Sequence, residues 1–449
     1  MQVKNTLIKL VVIAAVMIPY ASAAQTSSIN AFSPYTMYGI GEQNTPGTLP
    51  MRSMGGVGVA MRSSGVVNLL NPAAFSAAPQ KSFLFNFGLE GQNYYNSQKV
   101  DGMSKSTAYN TFNFHDIAFQ LPLARRLGLG FSLTPYSSVG YRVSADEQSD
   151  DVWGNIGRVQ YLYAGEGDLT EVKLGIGWEV VKRVSIGVAA QYYWGDIERT
   201  YQTVVSNNIV NGGSVNTVTG TDSYGISRIK MQLGLQADLI QSERQVLTLG
   251  ATYDMGGNLR PSVNQTVVNG DIYGTVVRGD TTRMALKLPV QLGVGLYYQN
   301  AKIAAGVDYI YQNWENNESP KSVPGAVNVA YKNTNTVKLG FEYTPNRMDI
   351  RNYLKRWSYR VGFRYGTYYQ TFEGKTLSQY AVTAGFGMPV RFLGRSSIDF
   401  GVEFGQRGND SPLRIDNRQI GLVRQRYVKF SLGLTLFGED SWFVRYKYD

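Results

Sequence analysis

The sequence predicts an all-β protein: a 14-stranded antiparallel transmembrane β-barrel with an N-terminal hatch plugging the lumen. Three observations predict it, namely an export signal, runs of about ten residues that alternate with period two, and connections that alternate between short and long. The 449 residues include no Cys, which excludes disulfides and Cys-ligated zinc. Only 17 % of residues are charged, yet the formal net charge is +10.

Residues 1–24 fit a secretory signal peptide. Lys4 and Lys9 supply its positive charge, residues 10–18 form an apolar run, and residues 21–23 (Ala-Ser-Ala) form a small-residue cleavage site. The run is too short to span a bilayer, which takes roughly 20 apolar residues. We therefore expect export through the Sec pathway, and the predicted barrel then places the protein in the outer membrane of a Gram-negative bacterium. Cleavage removes two positive charges (10 − 2 = 8), and the remaining basic excess then favours anionic lipid over nucleic acid as a partner.

Residues 25–80 are expected to form an N-terminal extension and hatch. Within them, residues 51–74 are rich in Gly, carry Arg52 and Arg62 among small apolar side chains, and end in Asn71-Pro72-Ala73. This stretch is too interrupted by Gly for a helix and too short for a domain. Such a segment cannot bury its own side chains, and it comes before strands that can close into a barrel. We therefore interpret it as a plug inside that barrel.

Residues 81–437 are expected to form the barrel, and residues 438–449 a C-terminal tail. From residue 229, Ile229, Met231 and Leu233 alternate with Lys230 and Gln232, so one face is apolar and the other polar. Aromatic residues gather at strand ends, as expected of the two interfacial girdles. They are Tyr192, Tyr193 and Trp194; Tyr297 and Tyr298; Tyr309, Tyr311 and Trp314; and Tyr365, Tyr368 and Tyr369.

Short connections near residues 123–126, 181–183, 241–244, 299–302 and 391–395, and a longer one at 345–356, alternate with long polar segments. The long segments are 96–106, 144–168, 206–220, 258–280, 313–330 and 408–417, with a tight turn at 372–375 as the exception. Short periplasmic turns and long external loops are typical of outer-membrane barrels. The basic residues of the short turns either contact anionic headgroups or are simply solvated.

The count of fourteen strands is even, as bacterial single-chain barrels require. The predicted strands centre on Phe85, Phe114, Phe131, Leu174, Val188, Leu233, Leu249, Leu292, Ala305, Leu339, Phe363, Ala384, Phe400 and Leu432.

The hatch stretch also carries a resemblance to a known family. Gly55-Gly56-Val57-Gly58-Val59-Ala60, followed by Val67-Asn68-Leu69-Leu70-Asn71-Pro72-Ala73, resembles the hatch of the FadL/TodX (OmpP1-like) family of outer-membrane transporters, which has fourteen strands. Ser33-Pro34-Tyr35 with Tyr38-Gly39 is similar to FadL-like barrels of the Bacteroidetes. The chain departs from the family at its C-terminus, because residues 438–449 displace the terminal aromatic to Phe437 or Tyr448. The barrel-assembly machinery is an expected partner during biogenesis.

The resemblance implies passive transport of hydrophobic small molecules, such as long-chain fatty acids, captured by external loops and released sideways at a kinked third strand. Pro135 and Tyr136 lie in the middle of the predicted third strand, and Pro lacks a ladder donor, so they are the candidate lateral-opening kink. The alternative is that Pro135 lies above the membrane. Candidate ligand contacts are Leu69, Leu70, Phe75 and Arg62, although the leucines and Phe75 could simply pack the plug and Arg62 could pair with luminal acids.

Two rival functions are compatible with part of the sequence. An enzyme would need a catalytic group, and the single histidine, His115, is followed by Asp116; neighbours on a strand face opposite sides, so these two are not expected to share a site. We therefore expect no catalytic residues, no metal and no cofactor. A secretion-system-associated barrel that shuttles or anchors secreted proteins is the second rival, because that branch of the superfamily shares the Asn-Pro-Ala element. Besides the ligand, outer-membrane lipid and lipopolysaccharide are the expected partners.

Overall fold

The fold is that of a computed structural model, which describes residues 33–80, 82–100, 102–147, 150–206, 215–269, 275–278, 286–315, 329–390, 396–409, 411–415 and 418–439. Its fourteen barrel strands are β1 (Ser82–Val100), β2 (Met103–Ala124), β3 (Leu127–Asp146), β4 (Arg158–Val181), β5 (Val184–Ser206), β6 (Val215–Gln241), β7 (Gln245–Asp254), β8 (Val290–Asn300), β9 (Ile303–Asn313), β10 (Thr334–Tyr343), β11 (Ser358–Phe372), β12 (Lys375–Val390), β13 (Ser396–Arg407) and β14 (Arg424–Glu439).

Each strand pairs antiparallel with the next, and the barrel closes between β1 and β14 from Ser82–Glu439 to Ser97–Arg424. The predicted fourteen-stranded barrel is confirmed, and every predicted strand centre lies in a different strand. The predicted signal peptide and most of the C-terminal tail lie outside the described residues. Within the described part of the chain, no helix is long and apolar enough to cross a membrane.

The side chains of the strands are arranged inside out relative to a water-soluble protein. On β6, Ile229, Met231 and Leu233 face outward and are exposed, whereas Gln232 and Gln236 face the lumen and are buried. The same alternation runs round the wall, so an apolar belt meets the lipid and polar groups line the interior. The chain is therefore a transmembrane barrel.

The predicted aromatic girdles are only half correct. Tyr192, Tyr309 and Tyr365 do point to the lipid, but five others point into the lumen and are buried there. The inward five are Tyr193, Tyr297, Trp314, Tyr368 and Tyr369. Where a strand is regular, neighbouring aromatic residues face opposite sides, as Tyr192 and Tyr193 do, so such a pair cannot belong to one girdle. Tyr368 and Tyr369 both face inward because the register between β11 and β12 shifts between Thr367 and Thr371.

The predicted long loops are largely extensions of the strands. Residues 96–106 form no long loop, because β1 and β2 stay paired as far as Val100 and Met103. Strand pairing satisfies the backbone there as well as water would. The shorter strands are Glu42–Gln43, Gly257–Asn258, Ser262–Asn269, Thr275–Arg278, Lys287–Leu288, Val329–Tyr331, Pro412–Ile415 and Arg418–Gly421.

The segment 33–80 lies inside the barrel. It begins in the outer half, where the Ser33 N–H donates to the Gly140 carbonyl at 2.9 Å, and it descends past β3 toward the short-turn end. Its helical turns are Pro34–Met37, Leu49–Arg52 and Pro72–Ala77. The remaining short helices, Asp150–Asn155 and Tyr353–Arg356, connect barrel strands.

Candidate functional site

The hatch is held to the wall by buried ion pairs. Arg52, at the end of its short helix, contacts the carboxylate of Glu90 on β1. Arg62 lies 3.2 Å from both Glu179 and Asp238 near the short-turn end. Both arginines therefore pair with acidic residues of the wall. In this arrangement the Arg62 guanidinium is already neutralised by the wall.

The backbone of the glycine-rich part of the hatch forms hydrogen bonds with side chains of the wall. Asp308 on β9 accepts the N–H groups of Gly58 at 2.7 Å and Val59 at 2.9 Å. Gly55 and Gly56 have φ values of 72° and 82°, which only Gly adopts without strain. That turn brings the hatch backbone against the wall, where Lys338 donates to the Gly56 carbonyl at 3.1 Å.

The Asn71-Pro72-Ala73 element sits on glycines of the wall. The Asn71 amide donates to the Val59 carbonyl at 2.7 Å, and its oxygen accepts the Ala73 N–H at 3.0 Å. A Cβ on Gly187 would lie 2.3 Å from the backbone nitrogen of Ala73, and one on Gly177 would lie 2.5 Å from the Pro72 carbonyl oxygen. The strand glycines therefore leave a flat surface on the wall, and the hatch packs against that surface.

A cavity of about 200 Å³ lies between the hatch and the wall. Of the candidate ligand contacts, Leu69 and Leu70 line this cavity, whereas Phe75 is buried against Gly130 of β3. The rest of the lining is mostly polar or charged and includes Glu42, Glu171, Lys173, Gln232, Lys338 and Arg407. In this state the luminal space is therefore small and polar.

The ladder between β2 and β3 is interrupted halfway. These strands pair from Ala124–Leu127 to Ile117–Leu133, and no further pair joins them within the described residues. Beyond Leu133, β3 continues through Pro135 to Ser137, where its register with β4 shifts by one residue at Tyr136. On the side that β2 has left, the hatch strand Glu42–Gln43 pairs with Ser138 and Ser137.

The hatch strand and the residue that follows it make several contacts with the wall. Glu42 lies 3.0 Å from Arg407 of β13, and the Gln43 amide donates to the Tyr136 hydroxyl at 3.1 Å. The Asn44 N–H donates to the Tyr136 carbonyl at 2.9 Å. The hatch strand therefore partly fills the gap between β2 and β3 from the luminal side.

The prediction that the side chains of His115 and Asp116 face opposite sides of the strand is wrong. A bulge in β2 pairs Gly88 with Asp116 and Leu89 with Phe114, leaving His115 as the extra residue. Both side chains consequently face the lumen, are buried and contact each other. The imidazole lies over Gly88, where a Cβ would be 2.0 Å from the ring.

An aromatic cluster lies at the outer end of the lumen. Tyr35 and Tyr38 of the hatch segment pack against Phe372 with ring centroids 5.2 Å and 6.0 Å apart. Trp314 stacks on Tyr369 at 4.2 Å, and the Tyr369 hydroxyl donates to the Gly41 carbonyl at 2.7 Å. The sequence predicted that Trp314 and Tyr369 lie at the lipid interface, and only the direction of each ring in the structure reveals the cluster.

The sequence model of the BamG family matches residues 6–449. The chain belongs to the BamG family. No curated protein matches this BamG-family chain by sequence.

Solved structures share the fold of this BamG-family barrel. A FadL homologue of Pseudomonas aeruginosa matches at 12 % identity over 88 % of this chain and 99 % of its own, with a TM-score of 0.61. The P. putida toluene transporter TodX matches at 14 % identity over 89 % and 99 %, with a TM-score of 0.56. The CymD monoaromatic hydrocarbon channel matches at 14 % identity over 88 % and 98 %, with a TM-score of 0.53.

The likeness is one of fold, and it agrees with the FadL/TodX resemblance of the hatch motif. TodX is a transporter and CymD is a channel, and neither is an enzyme. The apolar belt and the fourteen-stranded fold together identify this BamG-family chain as an outer-membrane barrel.

Proposed function

We propose that this barrel takes up hydrophobic small molecules and releases them sideways between β2 and β3. The observation that supports the proposal is that the β2–β3 ladder ends at Ile117–Leu133, so that within the described chain no strand pair joins residues 103–116 of β2 to β3. The FadL and TodX structures of the same fold, one of them a toluene transporter, support the ligand class.

The physical advantage of a sideways exit is that the ligand avoids water. Hydrating an alkyl chain costs about 0.8 kcal/mol per CH₂, so a path from lumen to lipid is far cheaper than a wet pore. Long-chain fatty acids fit this argument best, since the cost of hydration grows with each CH₂.

Loading requires the hatch segment to move. Pockets for ligands of this kind usually enclose about 300 to 1,000 Å³, and the luminal cavity is smaller, at about 200 Å³. The segment 33–44 occupies the space beside the interrupted ladder, held by the Glu42–Arg407 pair and by the two residue pairs with β3. Release of those contacts would enlarge the cavity and clear the path past Pro135 and Tyr136.

A reversible disulfide tests this proposal. Gln43 and Ser137 are cross-strand partners, and the natural chain has no Cys. We expect Gln43→Cys/Ser137→Cys to abolish uptake of a labelled long-chain fatty acid into liposomes when oxidised and to recover it when reduced. The matched control, Asn93→Cys/Val428→Cys, joins a permanent pair of the β1–β14 seam and should not affect uptake. Undiminished uptake by the oxidised Gln43/Ser137 pair would contradict the proposal.

A second candidate is a barrel that anchors or shuttles other proteins, as part of outer-membrane secretion or assembly. The aromatic cluster at the outer end and the hatch held by buried ion pairs favour it, since a firmly held plug suits a docking role. The name of the BamG family links it to the barrel-assembly machinery. This candidate predicts protein chains that copurify stoichiometrically in mild detergent, together with uptake no greater than that of empty liposomes.

A further inference from the structure

The turn between β10 and β11, residues 344–357, is unlike the other short turns. The described turns at residues 125–126, 182–183, 242–244 and 301–302 have two or three residues, whereas this one has fourteen. It also exposes large apolar side chains: Met348 and Ile350 are each 86 % exposed and Leu354 is 53 % exposed. Such side chains are uncommon on a turn that faces only water.

The turn folds outward onto the lipid-facing wall. The Tyr353 hydroxyl donates to the Pro389 carbonyl at 2.8 Å, and the Trp357 ring stacks on Phe386 at 5.0 Å. Phe386 has the same parity on β12 as Tyr380 and Val382, which point to the lipid. The turn is therefore placed at the rim of the apolar belt and not beneath the lumen.

Basic groups surround the apolar tip. Arg347, Arg351, Lys355 and Arg356 oppose one acid, Asp349, so residues 344–357 carry a net charge of 4 − 1 = +3. The pairing of Lys355 with Asp349 is loose, at 4.0 Å. The neighbouring turn adds another cation, since the Thr344 N–H donates to the carbonyl of Lys302 at 2.7 Å.

We propose that this turn is a binding site for an anionic phospholipid of the inner leaflet. Met348 and Ile350 would enter the boundary between headgroups and acyl chains, and Arg351 and Lys355 would contact the lipid phosphate. A lipid fits better than a periplasmic protein because the aromatic contacts of Tyr353 and Trp357 hold the tip at the edge of the apolar belt. Apolar tips flanked by basic residues at that depth are typical of interfacial anchors.

Depth-dependent quenching tests where the tip lies. With no native Cys, Met348→Cys can be labelled with the fluorophore NBD in the full mature chain, reconstituted in vesicles that contain phosphatidylglycerol. We expect a blue-shifted emission and at least threefold stronger quenching by shallow doxyl-labelled lipids than for Ser242→Cys, a polar exposed position on another turn of the same rim. Equal quenching of the two probes would overturn the proposal, as would an unquenched Met348→Cys probe.

Lipid retention tests the charge requirement. In native mass spectrometry from neutral detergent, the wild-type chain should retain phosphatidylglycerol at least fivefold more often than phosphatidylcholine. Arg351→Ser/Lys355→Ser should lose this preference, whereas Lys182→Ser/Arg183→Ser, which removes two exposed cations from another turn, should keep it. Equal loss in both variants, or no preference in the wild type, would refute a specific site. Neither readout depends on whether the barrel transports a ligand.

Discussion

Removal of the Arg52 guanidinium should loosen the hatch. Arg52 and its partner Glu90 have side chains only 6 % and 5 % exposed, so the pair is screened little by water. After Arg52→Ala, the remaining contacts of Glu90 among the described residues are Lys429 at 3.6 Å, Gln92 at 2.6 Å and Ser431 at 3.3 Å.

The expected magnitude follows from that list of contacts. Breaking a buried ion pair by removing one partner costs about 3–5 kcal/mol. Because Lys429 still compensates part of the Glu90 charge, we expect the lower end, about 3 kcal/mol against the docked hatch. Since each 1.4 kcal/mol is a factor of ten, the released state should become roughly a hundredfold more populated.

Single-channel conductance in planar bilayers measures this population directly. Release of the hatch opens a wide lumen, so Arg52→Ala should show frequent large openings that the wild type shows rarely. The matched control is Arg347→Ala, whose ion pair is at the surface with the arginine side chain 61 % exposed and should contribute under about 1 kcal/mol. If Arg52→Ala opens no more often than Arg347→Ala, the buried pair does not hold the hatch.

Two further substitutions examine the other attachments of the hatch. Asp308→Ala leaves two buried backbone N–H groups without their acceptor and should cost about 3 kcal/mol of hatch docking; protease sensitivity of the hatch should rise, and an unchanged cleavage rate would argue against this attachment. Gly187→Ala places a Cβ against hatch backbone that cannot move aside, so we expect poorly assembled barrels that lose heat-modifiable migration on gels. Gly154→Ala, with open space around the added Cβ, should assemble normally, and equal behaviour of the two would disprove the close-contact argument.

The strand period and the placement of charge could be predicted from the sequence. A strand shows one face to lipid and one to the lumen, so the alternation of Ile229, Met231 and Leu233 with polar neighbours already specifies which side chains meet hydrocarbon. The glycine-rich hatch was predictable for a related reason, since a segment without its own apolar face needs a wall to cover it.

Only the tertiary structure decided which groups meet. Arg52 and Glu90 are 38 positions apart and Glu42 and Arg407 are 365 apart, and no local pattern predicts either pair. The bulge that turns His115 inward depends on the register between β1 and β2, which alternation within a single strand does not record. The sequence of each strand determines its two faces, whereas partners across the lumen depend on barrel closure, because closure alone sets the distance between side chains on non-adjacent strands.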